Sequence, residues 1–247
     1  MWRVATPTDS LTTKERGRNP MKIQVIDPRV TALTPMDECV SQFIRCAYAA
    51  GISRGRVGNV YLLPEAEELL KKLLGFRPNP HESVLEHSAV SFLFQCSRIA
   101  THEIVRHRLC AFTQSSTRYI EEKDAVVFVK PPHMFSGDVG LYTLSYDESG
   151  TVLTSDSGVQ PSRWVQVATE AVRDYQHERD QGVARESARY LLPHCLKADI
   201  VVTANFRQWR HMIRLRTSKK AAPEMQTLFN KVKDDLSQIS PVLVEDL

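Results

Sequence analysis

The spacing of apolar residues changes several times along this chain, and each change predicts an element. Met21-Lys-Ile-Gln-Val-Ile26 reads as a strand. From Met36 to about Ala50 apolar residues return at helical spacing (Met36, Val40, Phe43, Ile44, Tyr48), and Glu65 to Leu74 forms a second, shorter helix closed by Gly75. Ser88 to Cys96 alternates, with Val90, Phe92, Phe94 and Cys96 on one face of a half-buried strand. Ile99 to His107 returns to helical character, and Ala125 to Val129 is a strand stopped by Pro131-Pro132. Residues 133–160, rich in Gly, Ser, Asp and Thr with a hairpin signal at Asp147-Glu-Ser-Gly150, read as a loop or flap insertion. Four helices follow: Trp164 to about Gln181, Arg185 to Leu192, about Ile200 to Leu215, and one after Pro223 with Met225, Leu228, Phe229, Val232 and Leu236 on one stripe.

Strands early and helices late predict an α+β fold. At 247 residues the chain can bury a substantial core as one domain over 21–247, or one with a helical lobe. Residues 1–20 are polar and end in Arg-Gly-Arg-Asn-Pro, so they read as a flexible appended tail or an over-extended start.

A net charge of +3 is too small to point to nucleic acid or a membrane surface, and no apolar run reaches the length of a span. Five cysteines without a C-x-x-C spacing suit reduced thiols in the cytoplasm better than a disulfide framework.

Local clusters carry more information. Arg106-His-Arg-Leu-Cys-Ala-Phe-Thr-Gln-Ser-Ser-Thr-Arg-Tyr119 holds three arginines, a histidine, Gln114 and two serines within fourteen positions. Planar guanidinium forks suit phosphates and paired ring carbonyls. The same residues also describe a solvated basic face, although Leu109, Cys110, Ala111 and Phe112 lie among the charges. In His81-Glu-Ser-Val-Leu-Glu-His87 the histidines are six apart, about 120° around a helix, so they do not form a zinc pair, and we expect no metal. Glu86 and His87 read equally well as a structural polar pair. Arg185 and Arg189 share a helix face, as a salt-bridged surface or in partial burial. On the helix after Thr203, Arg207, Arg210, His211 and Arg214 form a polar stripe, while Asn205 and Arg216 lie on the side of Trp209 and Met212. An arginine on an apolar side needs a partner, either a ligand or a carboxylate from elsewhere. Cys195, after Pro193-His194, fits a nucleophile beside a base or a buried structural thiol, the latter being the commoner case.

Taken in register, these segments resemble the flavin-dependent thymidylate synthase family. Its signature is Arg-His-Arg, seven residues, Ser, then Arg-Tyr, matched by Arg106-His107-Arg108, Ser116, Arg118 and Tyr119. Upstream, His81 to His87 is similar to the family's Gly-His-Glu-Ser/Thr-x-x-Glu-His segment, with Pro80 in place of Gly. Downstream, Ala188-Arg189-Tyr-Leu-Leu-Pro193, Asn205-x-Arg207, Arg216 and Pro223-Glu224 follow in order.

The resemblance implies transfer of a methylene group from 5,10-methylenetetrahydrofolate to deoxyuridine monophosphate (dUMP), giving dTMP, with hydride from FAD that NADPH has reduced. It implies a mixed α/β core with a small antiparallel sheet and a largely helical C-terminal half, and a homotetramer with shared sites. Glu103, Ile104, Val105 and Arg106, with Gln114, Ser115, Ser116, Thr117 and Arg118, would surround the nucleotide. Ser115, Ser116, Arg118 and Arg189 would take its phosphate. Ser83, Arg106, His107, Arg108, Gln114, Asn205, Phe206, Arg207 and His211 would hold FAD. Arg216 would stabilise the anion of ionised uracil N3. The chain departs from the family at Glu103 (Gln in other members), Gln114 (Glu in some), Ala111 (commonly Ser) and His211 (Asn in some). Because a carboxylate repels phosphate, Glu103 is expected at the sugar or a base N–H. Two alternatives are a cysteine-dependent pyrimidine nucleotide methyltransferase using Cys195 and a basic nucleic-acid-binding protein using Arg106–Arg118 and Arg207–Lys220.

Overall fold

A computed structural model describes residues 20–76, 78–122, 125–132, 139–147, 150–158 and 160–247. The tail expected at 1–20 falls outside them except for Pro20, as do parts of the 133–160 segment. Seven α-helices and two four-stranded sheets among the described residues make the fold α+β. The chain gathers into two compact units. One runs through Asp27 and resumes over Ser116–Lys197; the other combines Pro28–Ser115 with Ala198–Leu247.

The first unit is built on β1 (Met21–Ile26), with β5 (Ala125–Val129) parallel on one side and β6 (Gly140–Asp147) antiparallel on the other. β7 (Gly150–Ser155) completes the order β5-β1-β6-β7. Alternation in β1 sends Met21, Ile23 and Val25 inward, where Ile23 faces Val126 and Tyr142 in register. Helix α4 (Arg163–Asp180) lays Val165, Ala168 and Val172 onto that core. The hairpin signalled at Asp147–Gly150 is formed, with β6 and β7 antiparallel from Tyr142 opposite Ser155 to Asp147 opposite Gly150. Tyr142 and Leu144 of β6 are buried, and β6 supplies the second partner that β1 needs for its ladder.

A second difference lies at Arg185–Leu192. Only Arg185–Ala188 is α-helical (α5), and Arg189–Leu191 tightens into a 3₁₀ turn. Leu192 is already extended, as a residue before proline must be.

The second unit has strand order β2 (Arg29–Ala32), β3 (Val90–Ser97), β8 (Lys197–Ala204), β4 (Ala111–Gln114). Helices α1 (Met36–Ile52), α2 (Leu63–Leu74), α3 (Arg98–Ile104), α6 (Phe206–Arg216) and α7 (Pro223–Ile239) belong to the same unit. The helix expected over Ile200–Leu215 is strand β8 as far as Ala204, and α6 begins only at Phe206. β-Branched Ile200-Val-Val-Thr203 favours the pleat, and burial of Ala198, Ile200, Val202 and Ala204 alternates as a strand requires. Asn205 then turns the chain into the helix, its Oδ1 accepting from Gln208 N at 2.8 Å.

Trp209 closes the core between these elements. It is fully buried, meets Phe92 edge-on at 4.9 Å, stacks with Phe94 at 6.3 Å and donates from Nε1 to Val90 O at 3.0 Å. Burial of an indole with its N–H satisfied fixes the rotation of α6, and with it the direction of every polar side chain that helix carries.

Candidate active site

Three short segments of the second unit converge on α6. The first is the 3₁₀ turn Glu82–Glu86, anchored by buried Leu85. Ser88, just after it, donates to Leu85 O at 2.8 Å and accepts from Phe206 N at 2.8 Å, joining the turn to the first residue of α6. Ser83 is exposed on this turn. Glu86 is ion-paired with Arg207, so the polar pair expected with His87 is made with α6 instead.

The second segment is α3 and the turn that follows it. Ser97 caps α3, its hydroxyl accepting from Ala100 N at 3.2 Å and donating to Glu224 Oε2 at 2.6 Å. Burial raises the Glu224 carboxyl above its ordinary range, partly offset by the two Ser97 hydrogen bonds. Past α3, His107 is buried while Arg106 and Arg108 are exposed. Neither arginine has a carboxylate partner among the described residues. Ile104 is core and Val105 is exposed, so of this pair only Val105 and the backbone can meet a ligand.

The third segment is β4. Gln114 Nε2 donates to Thr101 Oγ1 at 3.3 Å. Ser115 continues the pairing with β8, its N donating to Asp199 O at 2.8 Å and its hydroxyl accepting from Asp199 N at 3.1 Å. The Ser115 O–H thus remains available as a donor.

Arg216, the last residue of α6, is held by the second of these segments. Nε donates to His107 Nε2 at 3.0 Å, Nη1 to Glu103 Oε2 at 2.6 Å and Nη2 to the Glu103 carbonyl at 3.1 Å. The carboxylate partner considered for an arginine on the apolar side is thus Glu103. Of the five N–H donors on a guanidinium, these contacts use three and leave two. Burial first, then Arg216, then His211 hold His107 down at about 4 against an ordinary 6.5. The ring is therefore neutral near pH 7, and because Nε2 accepts, its proton sits on Nδ1 as a free donor. His211 is exposed and meets His107 edge-on at 6.3 Å. Phe206, expected at the cofactor, is a buried core residue whose side chain has no open face.

The polar stripe expected on α6 is broken at Arg210. Arg207, His211 and Arg214 are exposed, but Arg210 is fully buried. Its Nη2 donates to Glu82 Oε1 at 3.1 Å and Asp246 Oδ2 at 2.8 Å, and Nη1 to Leu243 O at 2.6 Å. The sequence assigns Arg210 to the polar stripe and gives Glu82 and Asp246 no role beside it. Phe206 and Ile213, four before and three after Arg210, are the signal that its face is apolar.

The remaining predicted residues, Ser116, Thr117, Arg118 and Arg189, lie in the first unit. Ser116 accepts from Tyr119 N and Ile120 N, each at 3.0 Å, forming a turn that exposes Arg118. Thr117 is buried in that turn. Arg185 donates to Tyr119 O at 3.2 Å, joining the turn to the short helix that leads into Arg189. Arg189 is half-buried and has no carboxylate partner among the described residues.

Cys195 lies against the first unit's core, and burial pushes its thiol up to about 12. A nucleophile needs the thiolate, and burial disfavours that form at Cys195. Among the described residues no group of three or more His, Cys, Asp or Glu side chains could hold a metal ion, and no helix is long and apolar enough to cross a membrane.

The family described as thymidylate synthase complementing protein matches residues 29–242. A flavin-dependent thymidylate synthase of Pyrococcus furiosus is 32% identical over 186 residues, covering 72% of this chain and 67% of the relative. A protein of the same name from Mycolicibacterium gilvum is 36% identical over 169 residues, covering 67% and 64%. The chain spans about two thirds of the length of these relatives. A UMP/dUMP methylase of Streptomyces cacaoi, solved with 5-Br dUMP, shares the fold with a TM-score of 0.65 at 22% identity, over 90% of this chain and 95% of that one.

Proposed function

The chain belongs to the flavin-dependent thymidylate synthase family, and from that premise we propose that it methylates dUMP to dTMP with 5,10-methylenetetrahydrofolate, FAD and NADPH. In this reading it works in the cytoplasm as a homotetramer with shared sites.

The observation that supports the chemistry best is the placement of Arg216. Its guanidinium is held by three contacts, two of them to groups without charge, and keeps two donors for a ligand. A pyrimidine that loses its N3 proton gains negative charge over N3 and the flanking carbonyl oxygens. Two preorganised N–H donors beside that charge stabilise it without waiting for solvent to reorient. The ionised ring is richer in electrons at C5, which then attacks the one-carbon donor with no covalent bond to protein.

The donor set of the second unit fits FAD. Arg106 and Arg108 carry uncompensated positive charge suited to a pyrophosphate. Arg207 is braced by Glu86, Asn205 is fixed as the cap of α6, and His107 offers Nδ1–H. Ser83, Gln114 and His211 add further polar groups, while Phe206 acts through the core. When bound, FAD supplies the hydride that completes the methyl group. Ser115, Ser116, Arg118 and Arg189 are proposed for the nucleotide phosphate, and Glu103 to Arg106 with Gln114 and Thr117 for the rest of its site.

Arg216→Ala tests the reading. The variant is expected to retain FAD, measured by its absorbance after desalting, and to lose nucleotide-dependent turnover. Undiminished dTMP formation would remove Arg216 from the mechanism.

A further inference from the structure

The grip on Arg216 is stronger than placement requires. His107 Nε2 and the Glu103 carbonyl fix the guanidinium at 3.0 and 3.1 Å, and both are neutral. The Glu103 carboxylate adds a third contact at 2.6 Å, and this one brings a full negative charge. The pair is only partly open to water, with 19% of the Arg216 side chain and 33% of the Glu103 side chain exposed. Screening there is weaker than at a fully solvated pair.

A guanidinium that already faces a carboxylate attracts a second anion less strongly. A neutral pyrimidine asks only for hydrogen bonds, which the two spare N–H groups supply. An ionised pyrimidine asks for charge, and must share Arg216 with Glu103. We propose that Glu103 is a specificity-determining residue: its carboxylate competes for Arg216 and so sets how tightly the site holds an ionised pyrimidine relative to a neutral one.

The inference rests on the assignment of this site to a pyrimidine nucleotide, and makes a claim of its own within it. The Glu103→Gln change removes the charge while its amide oxygen still accepts from Nη1, so the geometry of Arg216 is preserved. Binding of dUMP and of 5-bromo-dUMP to the FAD-loaded protein can be measured by titration calorimetry at one neutral pH. The bromine withdraws electrons and makes N3 easier to ionise. Glu103→Gln is expected to tighten 5-bromo-dUMP about tenfold, as befits loss of one carboxylate charge a few ångströms from the bound anion. It is expected to tighten dUMP less.

Glu103→Ala provides a second reading, because the backbone and His107 contacts remain. It too is expected to favour the bromo analogue over dUMP relative to the parent protein. Unchanged or weaker binding of 5-bromo-dUMP in Glu103→Gln, or no change in preference in either variant, overturns the proposal while leaving the family-based function standing. A parent protein that binds FAD but neither nucleotide overturns both.

Discussion

Replacing Glu82 by alanine strips the buried Arg210 guanidinium of one of its two carboxylates. Arg210 is fully shielded, whereas the Glu82 and Asp246 side chains are 15% and 21% exposed. Breaking a buried pair by deleting one partner costs about 3–5 kcal/mol, because the other charge stays out of water. Asp246 and Leu243 O remain with Arg210 in the variant, so the lower end, about 3 kcal/mol, is expected. The chain has two compact units, so the loss must be read on the one that holds the cluster. Trp209 lies there, and urea unfolding followed by its fluorescence, with Trp2 and Trp164 replaced by Phe, reports on that unit alone. The companion variant Glu82→Leu/Arg210→Met/Asp246→Leu removes all three charges at once. It should recover most of the loss, since an apolar cluster of similar volume needs no counter-charge. A cost below about 1 kcal/mol for Glu82→Ala would refute the reasoning, for it would mean that water or another group solvates Arg210 as well as Glu82 does.

Other outcomes follow from the same structure. His107 titrates at about 4 when folded against an ordinary 6.5, so the unfolded chain binds its proton first. Stability should therefore fall as the pH drops from 6.5 toward 4, with no contribution above that window. His107→Gln keeps an acceptor for Arg216 and should flatten this slope in urea midpoints taken across the window; an unchanged slope would contradict the buried neutral ring. Cys195→Ala should leave dTMP formation intact, since its thiol stays protonated, whereas complete loss of turnover in a folded variant would restore the nucleophile.

Much of the fold could be read from periodicity. Val90, Phe92, Phe94 and Cys96 lie on one buried face of β3, and the Met225-to-Leu236 stripe is the buried side of α7. What failed were places where local preference and tertiary need diverge. Ile200 to Ala204 reads as part of the helix that follows it, because a short apolar run fits either period until its neighbours decide. The hairpin signal at Asp147–Gly150 marks the end of β6 and the start of β7, but nothing around it shows that β6 pairs with β1. The residues of the candidate site were legible as motifs, but their partners were not. Nothing in the spacing joins Glu103 to Arg216, or Glu82 and Asp246 to Arg210, since those contacts are made by the packing of α3, the 82–86 turn and the C-terminal residues around one helix.

The central claim, that this chain carries out flavin-dependent synthesis of dTMP, is tested most directly by following flavin and product together. The purified protein loaded with FAD should show the flavin absorption bands, lose them on addition of NADPH, and then convert dUMP to dTMP when methylenetetrahydrofolate is supplied. Protein that takes up no FAD, or that reduces it and yields no dTMP, would contradict the account.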